Sequence, residues 1–369
     1  MKNLIISTVG TSLITNGATD EEKTLLYNYS NDTSEECPKE VKELITNQFA
    51  RVSKKLSDSD NHTIRKVSAE LNGIYGIYNE NINARRYDLH FLISTNTYQG
   101  IKSAEVIKKF LQTHEIVCEI ITPKKLSTKN KTDFSEGIKE LLKWFDETLD
   151  GYKQSGYKII FNLTGGFKSL QGYLNTIAMF YADKIIYIFE SANELIEIPR
   201  LPIQIDYTPF NINKDKLLLL NASKIFDIKD FTDFPETIFD SIDNKVILSV
   251  WGEVMWNKVK YDLFDKLPEL PYIKFHNNFI ELFNKKVDKK FKIKLLESIA
   301  KVSVILENSN GNLSELSKGG LQFSPLESKK FEKEQLYHFR LDLDIRVNCI
   351  KRGNNLLLTG FGTHDQTQK

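Results

Sequence analysis

Five short apolar runs, separated by helical patterns, constrain the fold of this chain more than any other feature: Leu4–Thr8, Leu89–Ser94, Ile116–Ile121, Lys158–Leu163 and Lys184–Phe189. Each is at most six residues and rich in Ile, Val and Phe, which suits a parallel sheet covered on both faces. Between them Glu40–Leu56, Thr63–Tyr78, Lys102–Gln112 and Phe134–Leu149 read as helices, the last carrying Ile138, Leu141, Leu142 and Phe145 at helical spacing. The alternation predicts an α/β, Rossmann-like doubly wound parallel sheet with right-handed crossovers over residues 1–205. An edge hairpin of Ile185–Phe189 and Glu194–Ile198 is expected to end it.

Residues 206–270 read as a mostly helical connector, bounded by Pro268 and Pro271, with Trp251 and Trp256 expected as core or interface aromatics. Residues 271–369 read as a small α+β domain. Its expected elements are a strand at Tyr272–Phe275, one long lysine-studded helix at Phe279–Leu306, and strands Leu336–Ile350 and Asn355–Gly362 joined by a KRGN turn. The length of 369 residues accommodates two domains and a connector. With 41% hydrophobic and 27% charged residues, a disordered chain is excluded. No run approaches the ~20 apolar residues of a membrane helix. The opening MKNLIISTVGTS lacks a signal peptide's apolar stretch. Cys37, Cys118 and Cys349 are too scattered for a metal or disulfide framework. A reduced, cytoplasmic protein without a membrane partner is the expectation.

Charge is unevenly distributed. From Lys245 onward there are 21 Lys+Arg against 15 Asp+Glu, while the whole chain has a net charge of +1. That asymmetry suits a polyanion at the basic end, and equally a solvated lysine face.

The most informative motif is NLTGGFKS, Asn162 to Ser169, where an apolar strand runs through two glycines and a lysine into a helix. Glycines bring backbone N–H groups close to a ligand, the helix start adds partial positive charge, and Lys168 adds a full one. The spacing is neither a P-loop nor a G-x-G-x-x-G fingerprint. A tight βα turn with an exposed lysine would share the pattern. Thr8–Ser12 and Thr95–Gly100 follow two other strands, and small hydroxyl residues and glycines at three carboxyl ends suit phosphate and ribose oxygens. Helix caps have the same composition.

LIISTVGTSL and NLTGGFKSLQGY resemble the CRISPR-associated Rossmann fold (CARF) domain, in its VGTS-type branch, over roughly residues 1–205. The resemblance implies a homodimeric sensor that binds a cyclic oligoadenylate activator, cyclic tetra-adenylate favoured, across its two-fold axis. Gly10, Thr11, Ser12, Thr95, Asn96, Thr164, Gly165, Gly166, Phe167 and Lys168 would contact the ring, Lys168 neutralising phosphate. No cofactor or metal is implied.

Such sensors usually carry an effector. Arg85 and His90 fit an R-x4–6-H ribonuclease spacing formally, but His90 falls in a strand of the sensor half and the match is set aside. The basic run followed by YHFRLDLDIRV and LLLTGFGTHD resembles RelE-like mRNA interferases over about residues 271–369. Arg340, Arg346 and His364 match that pattern, and Lys285, Lys286, Lys289, Lys290, Lys292 and Lys294 would bind RNA. Asp365 and Gln366 stand where family members often place a tyrosine. The chemistry would be metal-independent attack of a 2′-OH, with arginines stabilising the phosphorane and a histidine as acid or base. Asp342 and Asp344 lie close by, and strand-face charges would look the same.

The combined expectation is a cyclic-oligoadenylate-activated endoribonuclease cleaving mRNA, on the ribosome. The alternatives are a ring nuclease in the N-terminal pocket or a non-enzymatic nucleic-acid-binding regulator.

Overall fold

The computed structural model describes residues 2–363 apart from 86, 190–193, 203, 205, 243–244, 286–287, 319 and 342–344. It divides into two units, Met1–Gln204 and Ile205–Lys369.

Unit 1 opens with β1 (Lys2–Thr8), α1 (Ser12–Thr15), α2 (Asp20–Asn28) and α3 (Lys39–Asp58). After α4 (Asn61–Val67) and α5 (Ala69–Ile77) come β2 (Leu89–Ile93), α6 (Tyr98–Thr113) and β3 (Val117–Ile121). It closes with α7 (Lys131–Gln154), β4 (Tyr157–Asn162), α8 (Lys168–Tyr181), β5 (Lys184–Ile188) and β6 (Leu195–Ile198). The six strands form one sheet in the order β3-β2-β1-β4-β5-β6, with β5 and β6 antiparallel and the other neighbours parallel. The unit is therefore mixed α/β with a parallel-strand sheet.

Both faces are covered, which explains the apolar runs. Ile5, Leu92, Cys118 and Ile160 share a core with Leu71 and Ile74 of α5 and Ala104 and Ile107 of α6. On the other face Phe91 meets Trp144 of α7 at 4.9 Å, and Phe161 meets Phe145 at 5.4 Å. Strand order reverses between β1 and β4, so the VGTS and TGGFK loops leave from the crevice such a reversal creates.

One helical expectation in unit 1 fails. Thr63–Tyr78 is two helices, because Ser68 adopts an extended conformation (φ −146°, ψ 149°) and its side chain accepts from Leu71 N–H as a new N-cap. That break places Glu70 in the first turn of α5.

Unit 2 starts with α9 (Thr208–Ile212), α10 (Lys214–Asn221), the hairpin β7 (Phe239–Ile242) and β8 (Lys245–Leu248), and α11 (Val250–Leu263). It continues with β9 (Ile273–Phe275), α12 (Asn277–Asn284) and α13 (Lys289–Asn308). The hairpin-connected strands β10 (Ser324–Phe331), β11 (Glu334–Arg340), β12 (Ile345–Arg352) and β13 (Asn355–Thr363) complete it. These form a five-stranded sheet in the order β10-β11-β12-β13-β9. Residues 206–270, expected as a connector, share one core with the rest of unit 2: Phe210, Leu218 and Trp256 cluster with Ile299, Phe339 and Leu358. Trp256 is fully buried there.

The expected long helix Phe279–Leu306 is two helices, α12 and α13, with Lys285 as the C-cap of the first and Asp288 as the N-cap of the second. The expected strand Leu336–Ile350 is a hairpin. Leu341 N–H donates to Ile345 O at 3.0 Å to close it, and β11 pairs antiparallel with β12. Alternation alone could not reveal this, because reversal after a short turn restores the same in–out pattern. Cys37, Cys118 and Cys349 are buried free thiols. No described helix is long and apolar enough to cross a membrane.

Candidate functional site

In unit 1 the β1 and β4 loops meet closely. Thr8 Oγ1 donates to Gly165 O. A Cβ on Gly10 would stand 3.0 Å from Gly166 N, and Gly166 itself adopts φ +102°, a conformation that favours glycine. Asn162 ties the loops from below, its Nδ2 donating to Ser7 Oγ at 3.1 Å and to Glu70 O at 3.2 Å.

At the centre of this junction lies Glu70, a residue that sequence reasoning missed. Gly10 N–H donates to Glu70 Oε1 at 2.7 Å, and Ser12 Oγ lies 3.4 Å from Oε2. A Cβ on Gly165 would fall 2.2 Å from Oε1, so that glycine makes room for this carboxylate. The expected anion cradle is thus partly filled from within: the Gly10 amide already serves an internal carboxyl group. Recognising the N-cap at Ser68 would have placed Glu70 near a helix start, but only the tertiary structure brings it to Gly10.

Burial pushes the Glu70 carboxyl up, against the opposing hydrogen bond from Gly10 N–H. A raised folded-state value means that its contribution to stability is present below the unfolded value of ~4.3 and is lost as pH rises through the folded value. Glu70→Gln keeps an acceptor for Gly10 and removes the charge. We expect the variant to gain stability relative to wild type between pH 5 and pH 8. Urea midpoints at both pH values check this; a wild-type-to-variant difference independent of pH would refute it.

Beside these loops opens a cleft of about 830 Å³ whose lining includes Thr11, Phe167, Lys168 and Ser169 together with Lys23 and Tyr27 of α2. Lys168 opens α8, whose N-cap Phe167 supplies no side-chain acceptor, so the first-turn N–H groups are uncapped from that side chain. Lys168 is exposed, and Tyr27 is 80% exposed. Lys23 and Tyr27 also escaped the sequence reading; a capping box at Thr19 and Glu22 marks their helix.

Gly10, Ser12, Thr95, Asn96, Thr164, Gly165 and Gly166 are not among the lining residues of that cleft. Thr95 is buried and hydrogen-bonds Thr97 Oγ1 at 2.9 Å, while Asn96 N–H donates to Leu126 O at 2.7 Å. The Thr95 hydroxyl and the Asn96 main-chain amide thus each have a partner within the chain. Thr164 Oγ1 is buried without a hydrogen-bond partner among the described residues. His90 is buried on β2 with Nε2 2.8 Å from Tyr78 OH, and burial pushes its pKa down to about 3, so it is a neutral core residue. Arg86, within the R-x4–6-H spacing, lies outside the described residues.

In unit 2 the register places Arg340 directly opposite Arg346, and His338 directly opposite Asn348. Cross-strand partners and residues two apart share a sheet face, so His338, Arg340 and Arg346 stand together. Gly362, the partner of Arg346 on β13, has no side chain to fill the space on its other side. Arg346 is 6% exposed and its Nη1 donates to Ile345 O at 3.1 Å. Arg340 Nε is buried without a hydrogen-bond partner among the described residues. Ser324 Oγ lies 3.4 Å from His338 Nε2. His338 was legible in YHFR as an alternate-position neighbour of Arg340, although not as its neighbour in a site.

His364 lies outside the described residues, as do Lys286, Asp342 and Asp344. The lysines of α13 do not accompany the arginines. Phe291 of α13 packs on Phe361 at 5.8 Å, in the core shared by Phe339 and Val347, and Arg340 and Arg346 alternate to the opposite face. Lys289 pairs with Asp262, Lys292 lies 4.5 Å from the Phe283 ring centroid, and Lys285, Lys290 and Lys294 are exposed. Among the described residues, no three His, Cys, Asp or Glu side chains gather in a metal-holding group.

Residues 65–201 match the family model described as CRISPR-associated protein (Cas_APE2256). The match supports a CRISPR-associated protein. It takes in Glu70 and the Thr164–Lys168 loop, and it ends before unit 2.

Proposed function

We propose that this chain is a type III CRISPR accessory effector in which unit 1, as a CARF homodimer, binds a cyclic oligoadenylate and unit 2, as a RelE-like domain, cleaves RNA without metal. The observation that carries the reading is the directly opposed pair Arg340 and Arg346 with His338 on the same face. Two arginines in directly opposed register suit the equatorial oxygens of one phosphodiester, to which a guanidinium donates in a planar fork. In the reaction, a base takes the proton of the ribose 2′-OH as its oxygen attacks phosphorus. The arginines then hold the charge of the phosphorane, and an acid protonates the departing 5′-oxygen. His338, on the face of the arginines, and His364, outside the described residues, are the imidazoles we assign to proton transfer. The cleft in unit 1 supports the sensing half: Lys168 and the α8 N-terminus suit phosphate, and exposed Tyr27 suits an adenine face.

The test is a translation assay with and without cyclic tetra- and hexa-adenylate, with message ends mapped by codon. Cyclic-oligoadenylate-dependent cuts are expected; uncut message with every ring would overturn the reading. By calorimetry, Lys168→Ala is expected to weaken ring binding about tenfold or more, the size of a lost charge-assisted hydrogen bond. Undiminished affinity would remove Lys168 from the site.

A further inference from the structure

We propose that unit 1 carries a second small-molecule site, for a nucleoside monophosphate, in a cavity walled by α3, α4, α5, α6 and residues 80–83, with the Tyr75 hydroxyl as its recognition group.

The cavity measures about 740 Å³, within the ~300–1,000 Å³ range of ligand pockets. It is far from the cleft described above. Gln99, which lines that cleft, lies in the first turn of α6, whereas Thr113 of the cavity ends the same helix, about 21 Å away at 1.5 Å per residue. Leu56, Ile64, Ile82 and Phe110, all buried, give it an apolar floor.

Tyr75 lines the same cavity and is 1% exposed. No described residue hydrogen-bonds its hydroxyl, and its pKa is pushed up to about 12 by burial alone, so the phenol stays a proton donor. The ring is buried, and the hydroxyl opens into the cavity, where water or a ligand supplies its hydrogen-bond partner. Phe110 stacks against Tyr75 with centroids 6.5 Å apart, and His114, whose pKa burial pushes down, packs edge-on to Phe110 at 4.9 Å. Aromatic walls with one deep donor suit a flat heterocycle bearing acceptor atoms.

The mouth is polar and held in place. Asn79 and Glu80 both adopt left-handed conformations, φ +47° and +66°. Glu80 N–H donates to Tyr75 O at 2.9 Å, and Asn61 Nδ2 donates to Glu80 O at 2.9 Å. Arg65, itself buried, holds the Glu80 carboxylate at 2.8 Å. Asn81 places an amide group at the rim, Asn83 lies there with its Oδ1 3.1 Å from His114 Nδ1, and Lys109 places a cation there for a phosphate. A hydrocarbon would leave this rim unmatched, and a bare phosphate would leave the aromatic floor empty.

The experiment uses the full chain carrying Lys168→Ala, which removes the lysine of the other cleft, titrated by calorimetry with adenosine, guanosine, cytidine and uridine 5′-monophosphates in turn. At least one is expected to bind, and Tyr75→Phe in the same background is expected to weaken it about tenfold while leaving the melting temperature unchanged. Retained stability follows because the lost hydroxyl has no protein partner. No heat with any of the four, or affinity unaffected by Tyr75→Phe, would overturn the proposal and leave a water-filled cavity. Because cyclic-oligoadenylate binding is measured separately on the chain with Lys168 intact, either site can fail without the other.

Discussion

Replacing Arg346 with alanine is expected to lower RNA cleavage by the full chain about 10²–10³-fold, the loss typical of removing one donor from a developing oxyanion. Arg346 stands opposite Arg340 in the β11–β12 register, on the same sheet face. Because Arg346 is nearly buried, its loss also affects folding, and the matched variant Arg340→Ala at the half-buried partner separates the two effects. Single-turnover cleavage rates, with melting temperatures alongside, provide the check. A stable Arg340→Ala protein that cuts at the wild-type rate would remove the pair from the chemistry. Arg346→Lys is expected to rescue little, since an ammonium cannot reproduce the two-pronged contact. If the arginines matter and His338→Gln cuts normally with an unchanged pH profile, proton transfer belongs to His364 instead.

Trp256→Ala is expected to destabilise unit 2 by about 3–5 kcal/mol, the range for deleting a buried Trp or Phe side chain. Trp256 is fully buried in the core that joins 206–270 to the C-terminal sheet, and its ring meets Phe264 at 6.3 Å. Urea denaturation followed by far-UV circular dichroism measures the loss. Were 206–270 a detached connector, the same substitution would leave the β-sheet transition unmoved. Trp251, half-buried five residues earlier, offers a control within the same helix.

TGGFK and VGTS do fall at adjacent strand ends, because both are local strand-to-helix signals and β1 pairs with β4. Their glycines, however, serve contacts within the chain as well. Gly165 admits the Glu70 carboxylate and Gly166 packs on Thr8, partners 95 and 158 positions distant by residue number. A glycine pattern states that something comes close and does not say what.

The sequence alone determined the alternation of strands and helices in unit 1, since apolar runs and helical spacing are local and each buried face leaves its own period. It also determined the turn chemistry at Gly353 and the placing of a basic C-terminal part. Only the tertiary structure decided that Ser68 starts a new helix, that Leu336–Ile350 doubles back, and that 206–270 belongs to a core rather than a link. The first two turn on local competition that composition leaves open, a side-chain cap three residues from its donor against helix continuation, and a reversal that preserves alternation; the third depends on partners distant in sequence, α11 packing on α13 within the shared core. Register then set Arg340 against Arg346, a pairing that spacing along one strand cannot express.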